Sequence, residues 1–137
     1  LGFALMGAYE ARYDAALDAI LAGHPDALAR IEAYGRLYLG GVEQGLGCLC
    51  AALATEGEAL PERLRAAVVG FFDRHIAWLE AVLRQGQAEG SVRAALDPAA
   101  QARFVVATLE GALMMERLLG GPRAFAGTLA ALCASLR

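Results

Sequence analysis

A chain of 137 residues fits one domain, and at that length roughly two thirds of the unfolded surface is buried on folding. It is 58% hydrophobic with a mean hydropathy of +0.44, yet its longest charge-free run, residues 124–136, is too short to span a bilayer, so no transmembrane helix is expected. Net charge is -3 and all 12 cations are Arg scattered along the chain, which excludes the clustered basic footprint of a nucleic-acid surface.

The surplus of apolar residues must go into a core, a cavity or a subunit interface, because large exposed apolar patches are uncommon on soluble monomers. A homo-oligomer is the economical expectation. Three cysteines, an odd number, argue for reduced thiols and a cytoplasmic setting. The opening LGFALMGAY lacks the positive lead and cleavage-type ending of a signal peptide. Its pattern is that of mid-helix, so a segment of a longer protein is expected.

β-branched residues are few and never alternate, while Ala, Leu, Glu and Arg dominate, so the fold class is all-α, with about six helices. The first helix runs to about Ala22, with Met6, Tyr9, Tyr13, Leu17 and Ile20 at helical spacing and Gly23 as its C-cap. Pro25 and Asp26 suit the first turn of a second helix, whose inner stripe is Leu28, Ile31, Gly35, Tyr38 and Val42. After a glycine-rich stretch, a short helix is expected from about Cys48 to Glu56, ending at Gly57. Pro61 opens the longest helix, striped by Leu64, Val68, Phe71, Phe72, His75, Leu79, Val82 and Leu83 and closed by Gly86 and Gly90.

Asp97 caps and Pro98 starts the next helix, which extends to Leu119 and is apolar nearly all round. An ordinary surface helix shows one apolar stripe, so this one needs partners on more than one side. Arg103, Glu110 and Arg117 recur every seven residues and share one narrow line along it. Ala107, Gly111 and Ala112 permit close approach. Gly120 and Gly121 stop the helix, and Pro122 begins a last one reaching Leu136.

The run GCLCAALATE, with Gly47, Cys48, Leu49, Leu53 and Glu56 in a G-C-L-x-x-x-L-x-x-E pattern, resembles a subgroup of the tetracycline-repressor (TetR) family. The succession agrees as well: a long helix ending near RQGQAEG, then LDP and Ala102, then LEGAL, then a closing helix. The resemblance covers essentially the whole chain. It implies a C-terminal effector-binding and dimerisation domain over residues 1–137, with operator DNA bound through an N-terminal helix-turn-helix headpiece that this chain does not contain. It implies further that the last two long helices form a four-helix bundle in a homodimer, and that a small molecule enters a cavity among the preceding helices. No cofactor or metal is implied.

On that basis the interface candidates are Arg103, Ala107, Glu110, Gly111, Met114, Arg117, Leu118, Phe125, Leu129 and Leu132. In a symmetric dimer each patch meets its own copy, so Glu110 of one subunit is placed to face Arg103 or Arg117 of the other. A charged line facing water or the closing helix is the plainer alternative. Tyr9, Tyr13, Tyr34 and Tyr38 supply apolar bodies with polar tips, as a cavity wall or as ordinary core. His75, mid-stripe on the longest helix, is core or cavity wall, with Phe72, Trp78, Leu79 and Met114 as further wall candidates. Such a wall suits an apolar or aromatic ligand.

Cys48 lies near a helix N-terminus, where a thiol pKa is lowered. Some relatives with the Gly-Cys-Leu motif resemble electrophile or oxidant sensors, which makes Cys48 a redox candidate beside its plainer role as a small buried hydrophobe. Cys48 and Cys50 point in different directions on a helix, and no ligand stands four residues from His75, so the metal signal is poor. GGVEQGLG follows no strand, and the chain has no Lys, which rejects a phosphate loop. No Ser, His and acid trio supports an enzyme.

Overall fold

The computed structural model describes residues 2–45 and 47–137. Leu1, on which a mid-helix start was expected, and Leu46 of the GGVEQGLG run lie outside the described residues. Six α-helices follow in order: α1 (Gly2–Gly23), α2 (Ala27–Glu43), α3 (Leu49–Ala54), α4 (Glu62–Glu89), α5 (Pro98–Glu116) and α6 (Gly121–Leu136), with a single 3-10 turn at Gly57–Ala59 before α4. α4 packs along α5, and α2 lies against α6 and across both α4 and α5. α1 rests on α4 and α2, and α3 on α4.

Local chemistry sets the helix ends. Asp97 Oδ1 accepts the Ala99 N–H at 3.1 Å and Pro98 follows at the first helical position, so α5 begins where sequence places it. Gly90 closes α4 at φ 83, a left-handed conformation that costs glycine no Cβ clash. The Ser91 and Val92 N–H groups then fold back onto the Gly86 carbonyl at 2.9 and 3.1 Å. Gly86 is thus an interior helix residue whose missing side chain admits Val92.

Several boundaries depart from expectation. Gly23 ends α1 without a left-handed φ, because Pro25 disfavours helical geometry at His24 and so enforces the break itself. Asp26 is the extended N-cap of α2, with no side-chain capping bond, so neither Pro25 nor Asp26 lies inside the first turn. α3 spans only Leu49–Ala54, and Cys48 is its extended N-cap. α5 stops at Glu116, and residues 117–120 form a turn.

Two clusters divide the interior. The larger joins α1, α2, α4, α5 and α6 through Leu17, Ile31, Tyr34, Leu79, Leu83, Val105, Leu109, Phe125, Leu129 and Leu136. The smaller holds Met6, Cys50, Val68 and Phe71, where the first half of α1 and α3 meet α4. Cys48 and Phe72 pack against both. On α2 the buried face centres on Tyr34, which is fully buried, while Tyr38 is only half-buried. α5 is apolar on two faces: Ala102, Val105, Leu109, Ala112 and Leu113 point inward, while Phe104, Met114 and Met115 are exposed. Leu118 and Leu119, in the turn that follows, are exposed at 79% and 76%.

A methyl group at Gly86 would fall on the Val92 side chain and 3.1 Å from the Ala27 Cβ. Overpacking of this kind costs about 1–3 kcal/mol, against about 1 kcal/mol gained from alanine's better helix propensity. Gly86→Ala should therefore lower stability by about 1–2 kcal/mol net, read as a lower midpoint in urea unfolding with an unchanged slope.

Candidate functional site

The seam between the two clusters is where polar groups collect. Tyr9 and Tyr13 stand one turn apart on α1 with ring centroids 4.7 Å apart, and Tyr34 and Tyr38 stand one turn apart on α2 with centroids 5.5 Å apart. α4 contributes Phe71 and His75, α5 contributes Glu110 and Leu113, and Cys48 comes from the entry to α3. Together they enclose a recess with about 30 Å³ of free space, room for little more than a water molecule. Tyr9, Gly47, Cys48, Glu110 and Leu113 also wall an adjoining groove of about 650 Å³ between α3 and α5.

A chain of hydrogen bonds crosses the recess. The Tyr34 hydroxyl lies 2.8 Å from His75 Nδ1 and 2.9 Å from the Tyr38 hydroxyl. With one proton it donates to one of them and accepts from the other, so the His75 tautomer and the Tyr38 hydroxyl are linked. Tyr9 donates to Cys48 Sγ at 3.4 Å. His75 Nε2 and both Glu110 carboxyl oxygens are buried without a partner.

Burial governs the charges. It pushes His75 down to about 4, aided by Arg74, so the imidazole is neutral at pH 7. It pushes Glu110 up to about 9, aided by charge on Cys48. The Cys48 thiol is drawn down to about 5 by hydrogen bonding from Cys50, then from Tyr9 and the Ala51 backbone N–H, against its own burial. Cys50 and Tyr9 are pushed up, Cys50 first by its bond to Cys48 and Tyr9 first by burial. Cys48 and Glu110 act on each other, since charge on the lowered Cys48 is part of what raises Glu110.

Tyr9, Tyr13, Tyr34, Tyr38, Cys48 and His75 all line the recess. Four other wall candidates do not. Leu79 is fully buried core, Phe72 turns away while Phe71 faces in, and Trp78 stacks behind Tyr34 at 5.7 Å. Met114 is exposed on the outer groove.

Among the interface candidates, Arg103, Ala107, Met114, Arg117 and Leu118 are exposed and Gly111 is half-buried. Phe125, Leu129 and Leu132 are buried in the chain's own core and present nothing to a partner. Glu110 leaves the charged line for the recess, because α2 and the Gly47–Cys48 entry to α3 lie over it, while Arg103 and Arg117 stay exposed. Its signal in the sequence was being the only acid between Pro98 and Met115. Among the described residues no cluster of His, Cys, Asp and Glu suits a metal, and no helix is long and apolar enough to cross a membrane.

Residues 27–132 match the family model for the tetracyclin repressor-like C-terminal domain. The chain belongs to this TetR family. It is 33% identical over 125 residues to the transcriptional regulator AcuR of Cereibacter sphaeroides, covering 85% of this chain and 55% of AcuR. It is 35% identical over 97 residues to the nucleoid occlusion factor SlmA of a Marinomonas strain, covering 69% of this chain and 48% of SlmA. The chain thus spans about half the length of these curated relatives.

Its fold matches a TetR-family transcriptional regulator from Agrobacterium tumefaciens with a TM-score of 0.92 at 26% identity, over 98% of this chain and 72% of that one. It also matches a regulatory protein TetR from Rhodobacter sphaeroides, with a TM-score of 0.87 at 28% identity over 99% and 74% of the two chains. For the reduced form of E. coli NemR the TM-score is 0.81 at 26% identity, over 96% and 69%.

Two outcomes follow from the buried titrations. Between about pH 4 and 6.5 the unfolded chain protonates His75 while the folded chain does not, so the fold loses stability as pH falls through that window. The loss relative to pH 6.5 should be on the order of 1–3 kcal/mol at the acid end and absent from His75→Gln, as the difference between urea-unfolding profiles of the two proteins. Removing the phenol donor in Tyr9→Phe should raise the Cys48 pKa, moving the thiolate absorbance step at 240 nm to higher pH.

Proposed function

We propose that this chain is the effector-binding and dimerisation domain of a cytoplasmic TetR-like bacterial transcriptional regulator, and that in the full-length protein a helix-turn-helix headpiece precedes α1 and contacts operator DNA. The observation that carries this reading is the recess itself, a polar, partly unpartnered site inside an apolar bundle, with α1 forming one wall. Membership of the family and the greater length of the curated relatives support it.

An occupant of the recess and groove displaces or holds Tyr9 and Tyr13, both on α1. If the headpiece hangs from α1, that displacement alters the spacing of two headpieces, whereas DNA half-sites are fixed roughly one helical turn apart. The ligand then favours whichever α1 position it binds better, which is a shift of population limited by its differential affinity.

Dimerisation is supported by the outer face of α5 and its following turn. Phe104, Ala107, Gly111, Met114 and Leu118 follow one another at helical spacing. Three of the five are large apolar residues exposed at 56%, 63% and 79%, a face that a soluble monomer rarely leaves open. Cys48 serves in this reading as a wall of the effector site.

The test uses the full-length protein on its operator. Ala52→Trp fills the groove from its exposed rim and should leave DNA binding and dimerisation intact while reducing effector-induced DNA release at least tenfold in a gel-shift titration. Undiminished release would overturn the assignment of the cavity. Leu118→Glu should weaken the dimer at least tenfold in sedimentation equilibrium.

A further inference from the structure

The recess and the groove differ in chemistry as well as size. The recess has about 30 Å³ of free space and an aromatic wall of four tyrosines, while the groove of about 650 Å³ is lined chiefly by Leu49, Ala52, Leu113 and Met114. Glu110 stands where they join, with both oxygens buried and no partner at full hydrogen-bond geometry, and with Cys48 and Tyr38 beside them. Among the described residues no cation lies within ion-pair distance of it. A buried carboxyl group without a hydrogen-bond partner costs free energy, and tyrosine faces attract a cation.

We propose that the site takes a primary ammonium ligand, with its –NH3+ head in the recess on Glu110 and its hydrocarbon tail in the groove. The proposal rests on the reading of this cavity as an effector site and names the class of effector. An ammonium head is close to a water molecule in size and supplies three N–H donors, enough for both Glu110 oxygens and one tyrosine hydroxyl or His75 Nε2. A trimethylated head is too large for the recess. The lowered Cys48 thiol places negative charge beside Glu110, which complements a monocation and repels an anion. When the ammonium seats on Glu110, its positive charge draws the carboxyl pKa down and the carboxyl proton leaves to solvent. Arg117 is the one cation on the groove wall; its guanidinium lies beside Gly47, and its exposure to solvent weakens its repulsion of a cationic head.

Isothermal titration of the full-length protein at pH 7.5 with hexylammonium, 1-hexanol, hexanoate and tetramethylammonium tests this. Hexylammonium should bind at least tenfold more tightly than the other three, and Glu110→Gln should reduce its affinity at least tenfold while unfolding stays cooperative. Ala52→Trp should lose hexylammonium but retain methylammonium, which separates head from tail without touching Glu110. Equal or tighter binding of hexanol or hexanoate, no binding of hexylammonium, or an unchanged affinity in Glu110→Gln would overturn the ammonium assignment. Each of these leaves the effector reading to stand or fall on the DNA-release assay with Ala52→Trp.

Discussion

Tyr34 has no contact with solvent, yet its hydroxyl is held on both sides, by His75 of α4 and Tyr38 of α2. That arrangement constrains everything around it. A phenol buried without partners would cost free energy comparable to a lost hydrogen bond or more, so the α2–α4 crossing is confined to geometries in which the Tyr34–His75 contact survives. The same ring stacks on Trp78 and meets His75 edge-on with centroids 5.6 Å apart, fixing its orientation as well as its depth. Around this anchor the apolar clusters close, and the polar groups that cannot reach it, Glu110 and His75 Nε2, are left facing the recess.

The recess exists because two packing problems are solved separately. The main core is filled by branched aliphatic side chains from α2, α4, α5 and α6, and the smaller cluster by Met6, Cys50, Val68 and Phe71. Aromatic side chains bridge the seam, and rigid rings interdigitate less completely than flexible aliphatics. The seam also concentrates titratable groups in a place of low dielectric, which is why burial is the leading cause of the shifts of His75, Glu110, Tyr34 and Tyr38. A site whose charges are set by burial is sensitive to whatever enters it.

α1 meets this site through contacts of a different kind from the other walls. Its connections to α4 include ion pairs from Arg74 to Glu10 and Asp14 at 3.5 and 3.4 Å, partly exposed and of the kind that contributes little. Its inner connections are rings, Tyr9 at 5.4 Å and Tyr13 at 5.8 Å from Phe71 between centroids, together with the Tyr9 bond to sulfur. Such contacts tolerate sliding better than interlocked aliphatic side chains.

Periodicity, proline and glycine determined by themselves that the chain is six helices, with the α5 start at Pro98 and the inward stripe of α4, because these depend on neighbours a turn or less away. The tyrosine group was legible for the same reason, as pairs at i and i+4 whose faces a helix must align. Whether such pairs face one recess depends on how helices cross. Only the tertiary structure decided that Phe71 enters while Phe72 turns aside, that Phe125, Leu129 and Leu132 belong to the chain's own core, and that Glu110 leaves the line of Arg103 and Arg117. A heptad line on an isolated helix is uniform along its length, but α2 and the Gly47–Cys48 segment cover only its middle, and burial then converts one of three similar surface charges into the buried acid of the site.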